Sequence, residues 1–131
     1  MKEVQVVCGV ATKDGRVFLA RRRPEKSYGG HWELPGGKVE PGEAHEVALA
    51  RELSEELAVE TKVGSFVATG VDQRLDSHIV LHGYLIEMES QPSASSDHDR
   101  MDWFTQNELA SLPIPPADLP ILEALFASAE H

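Results

Sequence analysis

The chain has 131 residues, with 12 Lys+Arg against 22 Asp+Glu for a formal net charge of −10, and is 41% hydrophobic. That length fits one domain over residues 1–131, burying about two-thirds of the surface its unfolded chain exposes, and the composition excludes disorder. No apolar run nears the roughly 20 residues of a membrane span, no signal-peptide apolar stretch follows Met1, and the acidity argues against polymeric nucleic acid, which is held through Lys and Arg.

Val4 to Thr12 is β-branched and apolar and reads as a strand. It contains Cys8, the lone cysteine, which excludes an internal disulfide or a multi-Cys zinc site and fits a reducing cytoplasm. Asp14-Gly15 is a hairpin signal, with Val17 to Ala20 as the returning strand. Arg21-Arg22-Arg23 closes that strand, and a polar loop through Tyr28, Gly29 and Gly30 follows. Pro35-Gly36-Gly37 reads as a turn, and Pro41-Gly42 punctuates the start of a helix over Glu43 to Leu57. Thr61 to Val71 and Ile79 to Met88 are strand-like, Glu89 to Asp99 is a loop, and Met101 to Phe104 is a short strand. Thr105-Gln106-Asn107-Glu108 fits a capping box, and Leu119 to Ala129 is a terminal helix. No internal repeat divides the chain, and the order of elements is mixed, α+β or α/β, in one domain.

The helix over Glu43 to Leu57 carries the chemistry. At about 100° per residue, with Glu52 as zero, Glu56 falls near 40° and Glu55 near 300°, on one face. Val47, Ala50, Leu53 and Leu57 form the expected core stripe opposite. Three carboxylates at that spacing repel one another, and Mg²⁺ or Mn²⁺ would turn them into a hard-oxygen site. Alone they also fit a solvated acidic face. Arg51 reaches Glu55 at i+4 and can steer one carboxylate.

Gly37, Glu43, Arg51, Glu52, Leu53, Glu55, Glu56 and Val59 occupy eight of the nine specified positions of the Nudix box, and Ala58 replaces its second glycine. The chain therefore resembles the Nudix hydrolases. Phe18 to Arg22, Trp32 to Gly37 and Pro115 to Asp118 are similar to segments of the MutT-type branch of nucleoside triphosphate pyrophosphohydrolases. The resemblance implies the Nudix fold, a mixed sheet between helices in an α/β/α sandwich. It also implies a Mg²⁺-dependent enzyme converting a (d)NTP to (d)NMP and pyrophosphate, with 8-oxo-dGTP or (d)CTP-type substrates.

By the same resemblance, the Gly37 carbonyl with Glu52, Glu55 and Glu56 ligates metal, and Glu43 with Arg51 forms an orienting salt bridge. Glu52 is favoured as the base, with Glu55 and Glu56 as alternatives. Asp97 stands where related sequences carry a glutamate of metal or base function, one methylene shorter; a solvent-exposed loop acid is the alternative. Arg22 matches a phosphate-contacting arginine, and Glu33 and Asp118 fall at substrate-binding positions. Asp118 replaces a base-reading asparagine and, when ionised, only accepts hydrogen bonds; it also suits an N-cap for the last helix. Tyr28 and Trp32 suit either the nucleotide site or packing, whereas Cys8, Trp103, Phe104, Leu122, Leu125 and Phe126 read as core. The six histidines show no metal-ligand spacing. Ala58 in a left-handed helix stop would cost about 1 kcal/mol or more.

Two other functions remain open at this point. One is hydrolysis of a nucleoside diphosphate linked to a second group, such as ADP-ribose. The other is a binding-only, non-catalytic nucleotide module. In each case the expected partner is a small nucleotide, with no membrane, a cytoplasmic location, and a monomer or homodimer.

Overall fold

In the computed structural model, which describes residues 2–93 and 96–129, the alternation of β1 (Lys2–Val10) sorts the core into two layers. Val7 joins one layer, while Cys8 and Val10 join the other. The same period of two recurs in β3 (Arg16–Arg22), where Phe18 shares the Val7 layer and Val17 and Leu19 share the Cys8 layer. Strands buried on both faces need cover on both. The Val7 layer is covered by Ala48, Leu49, Leu53 and Leu57 of α1 (His45–Leu57), the Cys8 layer by Ile121 and Leu122 of α3 (Asp118–Ala129). The expected α/β/α sandwich is the fold.

β1 is central to the first sheet. It pairs antiparallel with β5 (Gly36–Lys38) and parallel with β7 (Ser77–Met88), which pairs antiparallel with β6 (Thr61–Gln73). In the second sheet β8 (His98–Thr105) takes one whole edge of β3. β2 (Thr12–Lys13) and β4 (Trp32–Glu33) therefore share its other edge. The Asp14-Gly15 hairpin forms as expected: both residues have positive φ, 52° and 76°, and Lys13 pairs with Arg16. The capping box also forms, with Thr105 Oγ1 accepting from the Glu108 N–H at 3.3 Å and Glu108 Oε1 accepting from the Thr105 N–H at 2.8 Å; it opens α2 (Gln106–Leu109).

Three expectations need correction. Gly36 and Gly37 do not turn the chain but run as strand β5 beside Cys8 and Val7. A Cβ on Gly36 would lie 1.9 Å from the Val7 carbonyl oxygen, so glycine there permits close approach, not a special dihedral. The core stripe of α1 is Ala48, Leu49, Leu53 and Leu57, and Val47 is 56% exposed. The helix is thus rolled so that Glu52 and Glu56 border its buried face. Asp118 opens α3, but its carboxylate serves a distant partner: Oδ2 accepts from the Leu34 N–H at 2.8 Å.

Ala58 does stop α1 in the left-handed region, φ 54° and ψ 40°, and its N–H donates to the Ser54 carbonyl at 3.1 Å. The strain expected for alanine is accepted here, at about 1 kcal/mol or more. Among the described residues no helix is long and apolar enough to cross a membrane.

Candidate active site

Arg51 organises the acidic end of α1. Its Nε and Nη2 clasp Glu43 at 2.8 and 3.0 Å, its Nη1 donates to Glu52 at 2.9 Å and more weakly to Glu55 at 3.4 Å, and Nη2 also reaches the Lys38 carbonyl at 3.2 Å. A planar guanidinium can satisfy that many acceptors at once because its donors form a fixed fork. The Arg51 hydrogen bonds, helped by the Glu40 N–H, hold the Glu43 carboxyl down at about 2. The same contacts, to Glu43 first and then Glu52, push the Arg51 guanidinium further up. The expected Glu43–Arg51 bridge is therefore present, and it ties the β5 backbone to α1.

Glu52 is seated directly on β5. A Cβ on Gly37 would lie 1.9 Å from Glu52 Oε2, so only glycine leaves that carboxylate its place. On the other side of the cluster Asp97 shares a side-chain hydrogen bond with Glu56. That contact first, and then Lys26 at 3.0 Å, hold the Asp97 carboxyl below the usual range. The shorter side chain reaches because its backbone is drawn in: the Arg23 N–H donates to the Asp97 carbonyl at 3.0 Å, where β3 and β8 shift register. Arg23 Nε adds a bond to the Ser96 carbonyl at 3.0 Å, and Arg21 clasps Asp99 at 2.8 and 3.2 Å.

Two carboxyls in hydrogen-bond contact hold a proton or a cation between them, and every candidate donor here is oxygen. That chemistry fits a hard divalent ion such as Mg²⁺. Among the described residues no three His, Cys, Asp or Glu side chains form a ready-made cage. Glu52 leans on Arg51, Glu56 on Asp97, and Glu55 is 62% exposed.

The other expected residues meet in a cleft of about 260 Å³ lined by Arg22, Glu33 and Asp118 together with Lys38, Tyr28 and Asp72. Arg22 is already engaged: Nη1 donates to Glu33 Oε2 at 3.1 Å and Nε to the Ser27 carbonyl at 2.7 Å. His98, buried, contacts the same Glu33 oxygen through Nε2 at 2.8 Å. Asp118 is 4% exposed, and desolvation, followed by the nearby Glu33 charge, pushes its carboxyl up to about 8. Burial thus favours the protonated form, in which the carboxyl presents both an O–H donor and an acceptor. Trp32 does not line this cleft; it is buried edge-on to Phe104, ring centroids 4.8 Å apart.

Sequence reasoning missed Lys38, Asp72 and Arg74 as cleft residues, and His98 as the buried partner of Glu33. The His98 contact with Glu33 depends on the β3–β8 register, which no local pattern encodes.

A NUDIX domain profile matches residues 1–125. The chain is 37% identical over 127 residues to the CTP pyrophosphohydrolase of Escherichia coli strain K12, covering 97% of this chain and 94% of that protein. It is 29% identical over 126 residues to the 8-oxo-dGTP diphosphatase of the same strain, covering 95% and 98%. The solution structure of the E. coli ORF135 protein superposes with a TM-score of 0.85 at 38% identity, covering 97% of this chain and 91% of that one. A profile along nearly the whole chain, and a relative this close over the same span, make the chain a member of the Nudix family, in its MutT-type branch.

Proposed function

We propose that this hydrolase of nucleotide phosphoanhydrides is a Mg²⁺-dependent pyrophosphohydrolase, converting a (d)NTP and water to (d)NMP and pyrophosphate. The observation that carries the reading is the paired approach of Asp97 to Glu56 and of Glu52 to the Gly37 backbone, one helical turn apart. Glu52, Glu55, Glu56, Asp97 and the Gly37 carbonyl would hold Mg²⁺, with Mn²⁺ as a substitute. When bound, the ion neutralises phosphate oxygens and makes water a better nucleophile at neutral pH.

The protein's own groups do the rest. Arg51, braced by Glu43, fixes the Glu52 carboxylate through the 2.9 Å bond, and Glu52 takes the proton of the attacking water. Arg22 and Lys38 bring positive charge to the cleft that receives the substrate phosphates. At the base end, protonated Asp118 donates to a ring acceptor, and Glu33 accepts from an amino or imino group. Adjacent acceptor and donor occur on the pairing edge of cytosine, at N3 and the N4 amino group, and of guanine, at O6 and N1–H. That match, with the relatives' named substrates, favours (d)CTP-type and 8-oxo-dGTP-type nucleotides.

A panel of (d)NTPs, 8-oxo-dGTP, ADP-ribose and diadenosine polyphosphates, assayed with Mg²⁺ for the products released, tests the proposal. Monophosphate and pyrophosphate from a triphosphate are expected. Cleavage of ADP-ribose or the diadenosine compounds alone would overturn it, as would nucleotide binding with no cleavage.

A further inference from the structure

A second organised group stands in the same cleft, apart from the acids of α1. Tyr28 Oη donates to Asp72 Oδ2 at 3.0 Å, and Arg74 Nε donates to the same oxygen at 3.3 Å. The Arg74 guanidinium lies over the Tyr28 ring, 5.4 Å from its centroid. Asp72 and Arg74 are two residues apart at the end of β6 and its turn, where the Arg74 N–H donates to the Ser77 carbonyl at 2.8 Å. Tyr28 comes from the loop between β3 and β4.

Each member is constrained. Tyr28 has φ +57°, a backbone conformation disfavoured for so large a side chain, and the next residue, Gly29, packs so closely on Pro24 that a Cβ would lie 2.4 Å from its carbonyl oxygen. His31 stands edge-on to the Tyr28 ring, centroids 5.2 Å apart. Asp72 is 8% exposed, whereas the Arg74 side chain is 40% exposed. A buried carboxylate thus turns the tyrosine hydroxyl inward and pins a partly open guanidinium above its ring.

We propose that the Arg74–Tyr28 stack is the wall on which the substrate's base lies, with Asp72 as the positioning residue that holds it. The proposal rests on the reading of this cleft as the nucleotide site. A guanidinium paired with a carboxylate is flat, weakly hydrated and charge-compensated, so it offers a stacking surface in place of a free phosphate-binding cation. Stacking is tolerant of base identity because every base has a π-face. The wall therefore supplies affinity common to all bases and leaves selection to Asp118 and Glu33.

Steady-state kinetics of the full chain on whichever nucleotide it cleaves, with melting temperatures in parallel, test this. Tyr28→Ala and Arg74→Ala are expected to raise KM about tenfold for every base accepted, with kcat within about twofold. Tyr28→Phe keeps the ring and should lose less than Tyr28→Ala. Asp72→Ala should raise KM, and Asp72→Asn, which keeps an acceptor for the hydroxyl, should recover part of the loss. Arg74→Lys keeps the charge without the flat surface and should be as impaired as Arg74→Ala. Unmoved KM in folded Tyr28→Ala and Arg74→Ala would overturn the wall while leaving the pyrophosphohydrolase reading intact. Full rescue by Arg74→Lys would overturn it in favour of a charge contact. A wild type that cleaves no nucleotide would count against both proposals, whereas one that cleaves only ADP-ribose leaves the wall to be decided on that substrate.

Discussion

In α3, Asp118 is surrounded by protein and faces a second acid, Glu33, and its carboxyl moves from 3.8 up to about 8, chiefly through desolvation. The sign follows from proton linkage: the folded state binds this proton more tightly than the unfolded chain. Its contribution to stability is greatest below about pH 4, declines as pH rises, and levels off once pH passes about 8. Asn in its place has no proton to lose. Asp118→Asn should therefore gain on the wild type as pH rises from about 5 to 9, read as a widening gap in melting temperature. A gap that does not change with pH would mean that Asp118 is already ionised at pH 5. Either way Leu34 must keep its acceptor, and the Asn side-chain oxygen can supply it.

At the scale of elements, two adjacent glycines of β5 differ in what a side chain there would meet. A Cβ on Gly36 meets the backbone oxygen of Val7, which cannot move without breaking the β1–β5 ladder. Gly36→Ala should cost about 3 kcal/mol or more, seen as a fall in denaturant midpoint. The three atoms nearest a Cβ on Gly37 all belong to the outer part of the flexible Glu52 side chain. Gly37→Ala should therefore leave stability nearly unchanged and lower turnover by on the order of a hundredfold, because Glu52 is displaced from its seat. Equal effects of the two substitutions on stability would contradict this division.

The same pair shows what was legible in the sequence. The Asp14-Gly15 hairpin, the Thr105–Glu108 capping box and the carboxylates of α1 were readable because each is set by neighbours within one turn. Gly36-Gly37 was misread as a turn because glycine marks both dihedral freedom and close approach, and the chain alone does not distinguish them. The roll of α1, which exposes Val47 and half-buries Glu52, is decided by what β1 and β5 offer it. The reach of Asp97 to Glu56 and the Tyr28–Asp72–Arg74 group depend on pairings across strands, so no sequence window holds them.

Over the whole molecule, the net charge of −10 is not an even acidic coat. The three consecutive arginines divide their work: Arg21 and Arg23 draw in the loop that carries Asp97, and Arg22 holds Glu33 in the cleft. Arg51 braces Glu43 and Glu52, so the remaining Glu55, Glu56 and Asp97 complete the oxygen ligands proposed for a cation. In the proposed mechanism such a cation offsets that acidity when a triphosphate enters, which makes the acidic cluster the feature to test. The direct measurement is pyrophosphate release from a nucleoside triphosphate in Mg²⁺ by the wild type, Glu52→Gln and Glu56→Gln, with melting temperatures as a control on folding. A loss of about a hundredfold or more in both variants, without unfolding, is predicted. Turnover within about twofold of the wild type in both would contradict the acidic cluster as the catalytic site.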